Sequence, residues 1–247
     1  MNLIILTEND RAGFDTYRIT DLRAEHIRSV LKAGPGDSIA VGLLNGPSGE
    51  GVVRQISENQ VLLETIDLKT SPPPEPAVDL ICALPRPQTL KKVLITAACM
   101  GVGSVHLIRA NRVEKSYFQS PLLQPENYTP FLIEGLSQGK LTHLPKIRIH
   151  DRFRAFFEDI FPEMENGFET KYVKLVADPE TDRTVMDFHC EDVGRFVVAI
   201  GPEGGWVPFE IETMERAGFR KITLGRWLLR VESAVTAVLA QLELARG

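Results

Sequence analysis

The sequence predicts an α/β protein in two parts, a small β-barrel followed by a larger domain built on a parallel sheet. Three observations carry that prediction. TSPPPEPA at 70–77 holds four prolines, too stiff and donor-poor for a strand or helix interior, and reads as an extended linker. Before it, β-rich runs are broken by turn chemistry. After it, β-rich runs alternate with helical ones, as in a parallel sheet covered on both faces. The expected division is residues 1–70, a linker at 71–77, and residues 78–247.

In the first part, DSIAVGLL, GEGVVRQI and QVLLETIDL are strand-like, separated by NGPSG and SEN. One helix interrupts them, DLRAEHIRSVLKAG, with Ile27, Val30 and Leu31 on one side and Gly34 as its stop. His26 is read as a helix-surface histidine. In the second part, VDLICAL is a strand, QTLKKVLITAACMG a helix and SVHLIRA a strand. Later come the strands YVKLVAD and RFVVAI, the helix FEIETMERAGF, the strand KITLG and the helix SAVTAVLAQLELAR.

Bulk properties narrow the class. Of the 247 residues, 43% are hydrophobic and 25% charged, as in soluble globular proteins. Nothing approaches the roughly 18 consecutive apolar residues of a membrane span. The start, MNLIILTEND, lacks a basic region before its short apolar run, so a cytoplasmic protein is expected. Cys82, Cys99 and Cys190 are far apart and form no CxxC pair, which argues against a disulfide framework and a structural metal. Net charge is -5, but it is unevenly spread. Residues 86–154 carry eleven Lys/Arg and four acids, whereas 155–247 carry ten and seventeen. A basic face on an acidic body fits a nucleic-acid partner; a mixed solvated surface fits the same numbers.

In a parallel α/β sheet, ligands bind beyond the carboxyl ends of the strands. Three strands here run into unusual loops: VADPET (176–181), AIGPEGGW (199–206) and TLGRWLLRVES (223–233). If the strands are neighbours, the loops converge on one pocket. GPEGGWVP lacks the Lys and hydroxyl of a phosphate loop, and no GxGxxG opens a helix. Glu203 stands in the loop and would repel phosphate. S-adenosylmethionine suits such a place, having an adenine, a ribose, a positive sulfonium and no phosphate. A tight strand-to-helix turn, with Pro208 opening the helix, is the plain alternative.

GPEGG after an apolar strand, followed by LGRWLLRVESA, resembles the SPOUT methyltransferases, and most closely the RsmE family, which methylates N3 of a uridine in 16S ribosomal RNA. HIRSVLKAGPGD resembles the family's N-terminal motif, and LPRPQTLKKVLITAACMGV its first strand–helix unit. The match departs at Val231, Ser233 and Cys99-Met100-Gly101, and LSQGKLTHLP only partly echoes a further motif. It is therefore fuller in the cofactor half than in the RNA-facing half. The resemblance implies a PUA-like barrel, a catalytic domain with a trefoil knot, and a homodimer acting on 16S ribosomal RNA within an assembled small subunit.

Methyl transfer to uracil N3 needs donor and nucleophile held in line, and a group to manage the N3 proton or the resulting charge. Arg230 and Glu232 are the catalytic candidates: Arg230 for charge on a uracil oxygen, Glu232 to orient Arg230 or accept the proton. A structural ion pair between them is the competing account. Cofactor contacts are expected from Val176, Ala177, Ile200, Gly201, Glu203, Gly204, Gly205, Leu224, Gly225, Leu228 and Leu229. RNA contacts are expected from Arg86, Lys91, Arg109, Arg112 and Lys115, with Tyr117 stacking on an unpaired base. Three other functions fit the residues: an RNA-binding module without catalysis, an enzyme using a different adenine-containing ligand, and a methyltransferase acting on a different RNA nucleotide.

Overall fold

The computed structural model describes residues 3–70, 77–188 and 193–246. Most of the expected linker, 71–76, and Cys190 lie outside the described residues. The chain forms a five-stranded and a six-stranded sheet.

The first sheet curls in the order β1-β3-β4-β5-β2. Its strands are β1 (Ile4–Leu6), β2 (Thr16–Ile19), β3 (Ser38–Leu43), β4 (Ser48–Ile56) and β5 (Val61–Thr70). β1 runs parallel to β3, and the other pairs are antiparallel. β1 and β2 are short and were not among the expected strands. The helix α1 (Leu22–Glu25) continues as a π turn over His26–Val30. His26, expected on the helix surface, has its Nε2 buried with no hydrogen-bond partner among the described residues. Ile4, Leu6, Tyr17, Ile27, Val41, Val53 and Leu63 form this domain's own core.

The second sheet is wholly parallel, in the order β11-β9-β10-β6-β7-β8. Its strands are β6 (Val78–Ala83), β7 (Val102–Ile108), β8 (Lys146–His150), β9 (Tyr172–Ala177), β10 (Arg195–Ile200) and β11 (Arg220–Ile222). The central strands β6 and β10 are almost uniformly buried, as helices on both faces require. One face packs on α2 (Pro87–Cys99), α3 (Pro125–Gly139) and α7 (Val231–Arg246) through Leu80, Leu94, Leu136, Val198 and Val238. The other packs on Phe156, Phe157 and Phe161 and on α6 (Pro208–Arg216). Those phenylalanines lie on an interrupted helix: α4 (Phe153–Ala155), a π turn (Phe156–Ile160) and α5 (Phe161–Glu165).

Three elements of this half, β8, α3 and α4–α5, lay in stretches for which the sequence reading named no element. Pro130 inside α3 masks its helical period. Two glycines explain how it packs. A Cβ at Gly135 would stand 2.3 Å from the Ile95 carbonyl oxygen, and one at Gly139 2.3 Å from that of Cys99. The bare faces of these glycines let α3 press directly on the α2 backbone.

The two parts are in contact. The Leu3 N–H donates to the Ser137 carbonyl at 3.1 Å, and Ser137 Oγ donates to the Leu3 carbonyl at 2.6 Å. Thr142 and Asn45 add a second seam, with Thr142 Oγ1 donating to the Gly46 carbonyl at 2.7 Å and Asn45 N–H to the Thr142 carbonyl at 2.7 Å.

Candidate functional site

β11, β9 and β10 are consecutive in the sheet, so the three unusual loops leave adjacent strand ends. Backbone bonds tie them together. The Asp178 N–H donates to the Ile222 carbonyl at 2.9 Å, and the Thr223 N–H to the Arg183 carbonyl at 2.7 Å. The Asp178 carboxylate accepts from the Glu180 N–H at 2.9 Å and lies 3.7 Å from Lys221 Nζ. Behind them, Gln241 Nε2 of α7 donates to the Leu224 carbonyl at 3.4 Å. Between the loops after β9 and β11 lies a cleft of about 360 Å³, lined by Pro179, Thr181, Asp182, Thr223, Gly225 and Leu228 among others.

Gly225 is central to it. Its φ is +127°, and a Cβ there would meet nothing within 4 Å, because it would project into open space. The other loop glycines are close-packed for different reasons. A Cβ at Gly201 would stand 3.1 Å from Trp206 Nε1, and one at Gly204 3.0 Å from Arg112 Cδ. Gly205, with φ +74°, closes the turn by donating its N–H to the Pro202 carbonyl at 2.8 Å. The Trp206 indole N–H is buried and has no hydrogen-bond partner among the described residues, beside Gly201 of this loop.

The apolar candidates divide. Val176 and Ile200 are buried in the cores on opposite faces of the sheet, so what they offer a ligand is backbone. Ala177 and Leu224 are partly buried against the main core. Leu228 and Leu229 are 86% and 42% exposed, beside Trp227 at 76%. They form a projecting apolar loop, of which Trp227 and Leu228 line the cleft.

Arg230 and Glu232 come together at the start of α7, where the Arg230 carbonyl accepts the Ala234 N–H at 2.8 Å. Glu232 pairs with Lys92 of α2, Nζ to Oε1 at 3.2 Å. Its own backbone N–H is the main force holding the carboxyl below its usual range, with Lys92 and Arg230 adding to it. A carboxylate in the first turn also complements the helix dipole. Lys91, expected among the RNA contacts, lies half-buried with Nζ 5.2 Å from the Phe131 ring centroid.

The remaining basic candidates surround the same edge. Arg86 precedes α2, its Nε donating to Thr89 Oγ1 at 3.2 Å. Arg109 stacks over Phe118 at 5.5 Å, and Lys115 is exposed at the start of a short 3-10 turn. Tyr117 is half-buried, and its hydroxyl is held above the ordinary tyrosine range by burial first, then by Glu114 and Glu203. Arg112 donates from its guanidinium to the Gly204 carbonyl.

Sequence reasoning missed Glu210. It is 2% exposed, and its carboxylate accepts the Asn111 N–H at 2.6 Å and the Val207 N–H at 2.9 Å. One side chain thus pins the loop after β7 to the GPEGG turn. A signal was present, since Pro208 followed by Glu210 is the start-of-helix pattern in which an acid reaches back to a free N–H.

A small mixed-sheet domain leading into a parallel α/β domain, with glycine-bearing loops at the carboxyl edge, defines a class of ligand-binding α/β enzyme. The comparisons make the assignment specific: residues 72–243 match the RNA methyltransferase domain, and the chain belongs to that family. It is 29% identical to ribosomal RNA small subunit methyltransferase E of Treponema pallidum (strain Nichols), over 97% of this chain and 90% of the relative. It is 26% identical to ribosomal RNA small subunit methyltransferase E 1 of Borreliella burgdorferi, over 96% and 95%. Among solved structures, ribosomal RNA small subunit methyltransferase E from Neisseria gonorrhoeae, bound to S-adenosyl methionine, superposes with TM-score 0.76 at 19% identity, covering 99% of this chain and 98% of that one. At that identity the likeness shows the fold alone.

Proposed function

We propose that this protein transfers a methyl group from S-adenosylmethionine to N3 of a uridine in 16S ribosomal RNA, acting on the small ribosomal subunit. The observation that carries the reading is the cleft at the adjacent ends of β9 and β11, with Gly225 open to it, in a chain of the RNA methyltransferase family. The names of the relatives supply the ribosomal RNA substrate.

The residues present suit the donor. Gly225 leaves space that a side chain would fill, and Asp182 on the cleft wall, with Arg226 nearby in the lining, is the acid that would favour a positive sulfonium. When bound, S-adenosylmethionine supplies an electrophilic methyl carbon. The loops after β9 and β11, which line the cleft, would hold and orient it with the neighbouring loop after β10, largely through backbone groups. Arg230, exposed at the start of α7, stabilises negative charge developing on a uracil oxygen. Glu232 is a weaker base than an ordinary carboxylate, so it serves to hold Lys92 and Arg230 in place rather than to take the N3 proton.

The finer architecture belongs to this reading as well. The first domain is PUA-like, the segment from Leu224 into α7 passes through a trefoil knot, and the protein works as a cytoplasmic homodimer. The exposed Trp227-Leu228-Leu229 loop supports the dimer, since a second subunit would cover it. Mass spectrometry of 16S ribosomal RNA from cells lacking the protein tests the function: one N3-methyluridine should be missing. An unchanged methylation pattern would overturn it, and RNA binding without donor binding would favour a non-catalytic module.

A further inference from the structure

A second cavity lies at the opposite edge of the sheet from the methyl-transfer loops. It measures about 510 Å³, within the range of small-molecule sites. Its floor is formed by residues near the amino ends of four neighbouring strands: Arg195 of β10, Asp79 of β6, Ser104 of β7, and Lys146 and Arg148 of β8. Asp79, Ser104 and Lys146 are paired across the ladder, in one row. Ile160, Met164 and Phe168 form an apolar wall over it.

The charges there are arranged unequally. Asp79 is already engaged, accepting from Arg195 Nη1 at 2.5 Å and Ser104 Oγ at 2.5 Å. Ser104 stands 3.2 Å from His106 Nε2, and His106 Nδ1 stands 3.0 Å from His150 Nε2. Because Ser104 donates to Asp79, its oxygen accepts from His106, which in turn accepts from His150. The chain of donors is complete with both imidazoles neutral. Lys146 and Arg148 are different. They alternate on the edge strand, so they share one face, both are exposed, and neither makes an ion pair among the described residues. Glu163 on the far wall is the remaining acid. The Arg148 charge also reaches the floor, adding to burial in holding His106 and His150 below the ordinary histidine range.

We propose that this cavity is a second RNA contact, in which Lys146 and Arg148 hold a backbone phosphate and the apolar wall takes the attached nucleotide. The inference rests on the RNA substrate proposed above. It extends the footprint, because the cavity lies a strand length away, about 20 Å for six residues, and several strands across the sheet from the cleft between β9 and β11. The RNA must then run along the side of the β8 edge, spanning several nucleotides beyond the methylated one.

Full-length protein and the variant Lys146→Glu/Arg148→Glu, tested on unmethylated small subunits and on a labelled oligouridylate, decide the matter. RNA affinity should fall at least tenfold. In Lys146→Ala, the logarithmic salt slope should shrink by about 0.7 for the lost single-strand contact. Affinity for S-adenosylmethionine should be unchanged. Unaltered RNA affinity and slope would overturn the proposal. Uridine monophosphate serves as a separate probe: if the wild type binds it here while RNA binding ignores both substitutions, the ligand is a free nucleotide and the RNA contact is refuted. Should the double variant fold poorly, photo-crosslinking of wild-type protein to RNA decides instead, with adducts expected within residues 143–168 and their absence counting against the site. The reaction is judged independently, because wild-type protein that transfers no methyl but binds RNA through Lys146 keeps the contact and loses the proposed chemistry.

Discussion

Arg112 lies across Gly204, its guanidinium donating to the glycine carbonyl and its Cδ 3.0 Å from the place a Cβ would occupy. A residue expected to bind only RNA therefore also supports the GPEGG turn. Arg112→Ala should weaken binding of both RNA and S-adenosylmethionine, whereas Lys115→Ala should weaken RNA alone and flatten its salt slope by about 0.7–0.9. Calorimetry with the donor separates the two. Equal donor affinities in both variants would show that Arg112 does not support the turn.

Gly225→Val tests the cleft. The substitution places a branched side chain at φ +127° and in open space, so both strain and bulk act at one point. Donor affinity should fall at least tenfold while RNA binding persists. Undiminished donor affinity in a folded variant would move the donor away from this cleft.

Glu210 links two loops through two backbone N–H groups. Glu210→Ala leaves both donors without their partner, at a cost of about 1–3 kcal/mol. Thermal melting should show a loss of several degrees, with donor affinity reduced as the turn loosens. Glu210→Gln retains one acceptor and should fall between the two. An Ala variant that melts like the wild type would show that water replaces the carboxylate.

Arg230→Ala should leave binding of RNA and donor intact and slow the transfer step about a hundredfold, the usual effect of removing one stabilising charge from a water-poor site. Lys92→Ala should have a smaller effect, because Glu232 retains its own backbone N–H. Single-turnover methylation of small subunits measures both. A larger loss for Lys92 than for Arg230 would reverse their roles.

Acid stability should report the buried His106. Burial, with the neighbouring His150 and Arg148, lowers His106 to about 3, against 6.5 for an unperturbed histidine. Between those values the unfolded chain binds a proton that the folded chain refuses. This contribution is therefore fully present above pH 6.5 and is lost as pH falls toward 3, by at most about 1.4 kcal/mol per unit. Urea unfolding from pH 7 downward should show a steeper loss for the wild type than for His106→Gln. Parallel curves would place the acid sensitivity elsewhere.

Much of the parallel sheet was legible along the chain, because VDLICAL and RFVVAI are continuous apolar runs of the kind buried on both faces, and helical patterns such as QTLKKVLITAACMG and FEIETMERAGF follow them. The GPEGG and LGRWLLR loops stood out for the same local reason, as breaks in those patterns. Helix α3 was hidden by Pro130, and β8 by the alternating Lys146 and Arg148 of an exposed edge strand. Only the tertiary structure decided which distant residues share a charge: Glu232 with Lys92, Glu210 with the Asn111 backbone, Arg112 with Gly204. The physical reason is that periodicity records which face of an element is buried, whereas an ion pair or a cap across 92 to 140 residues depends on how those faces are stacked.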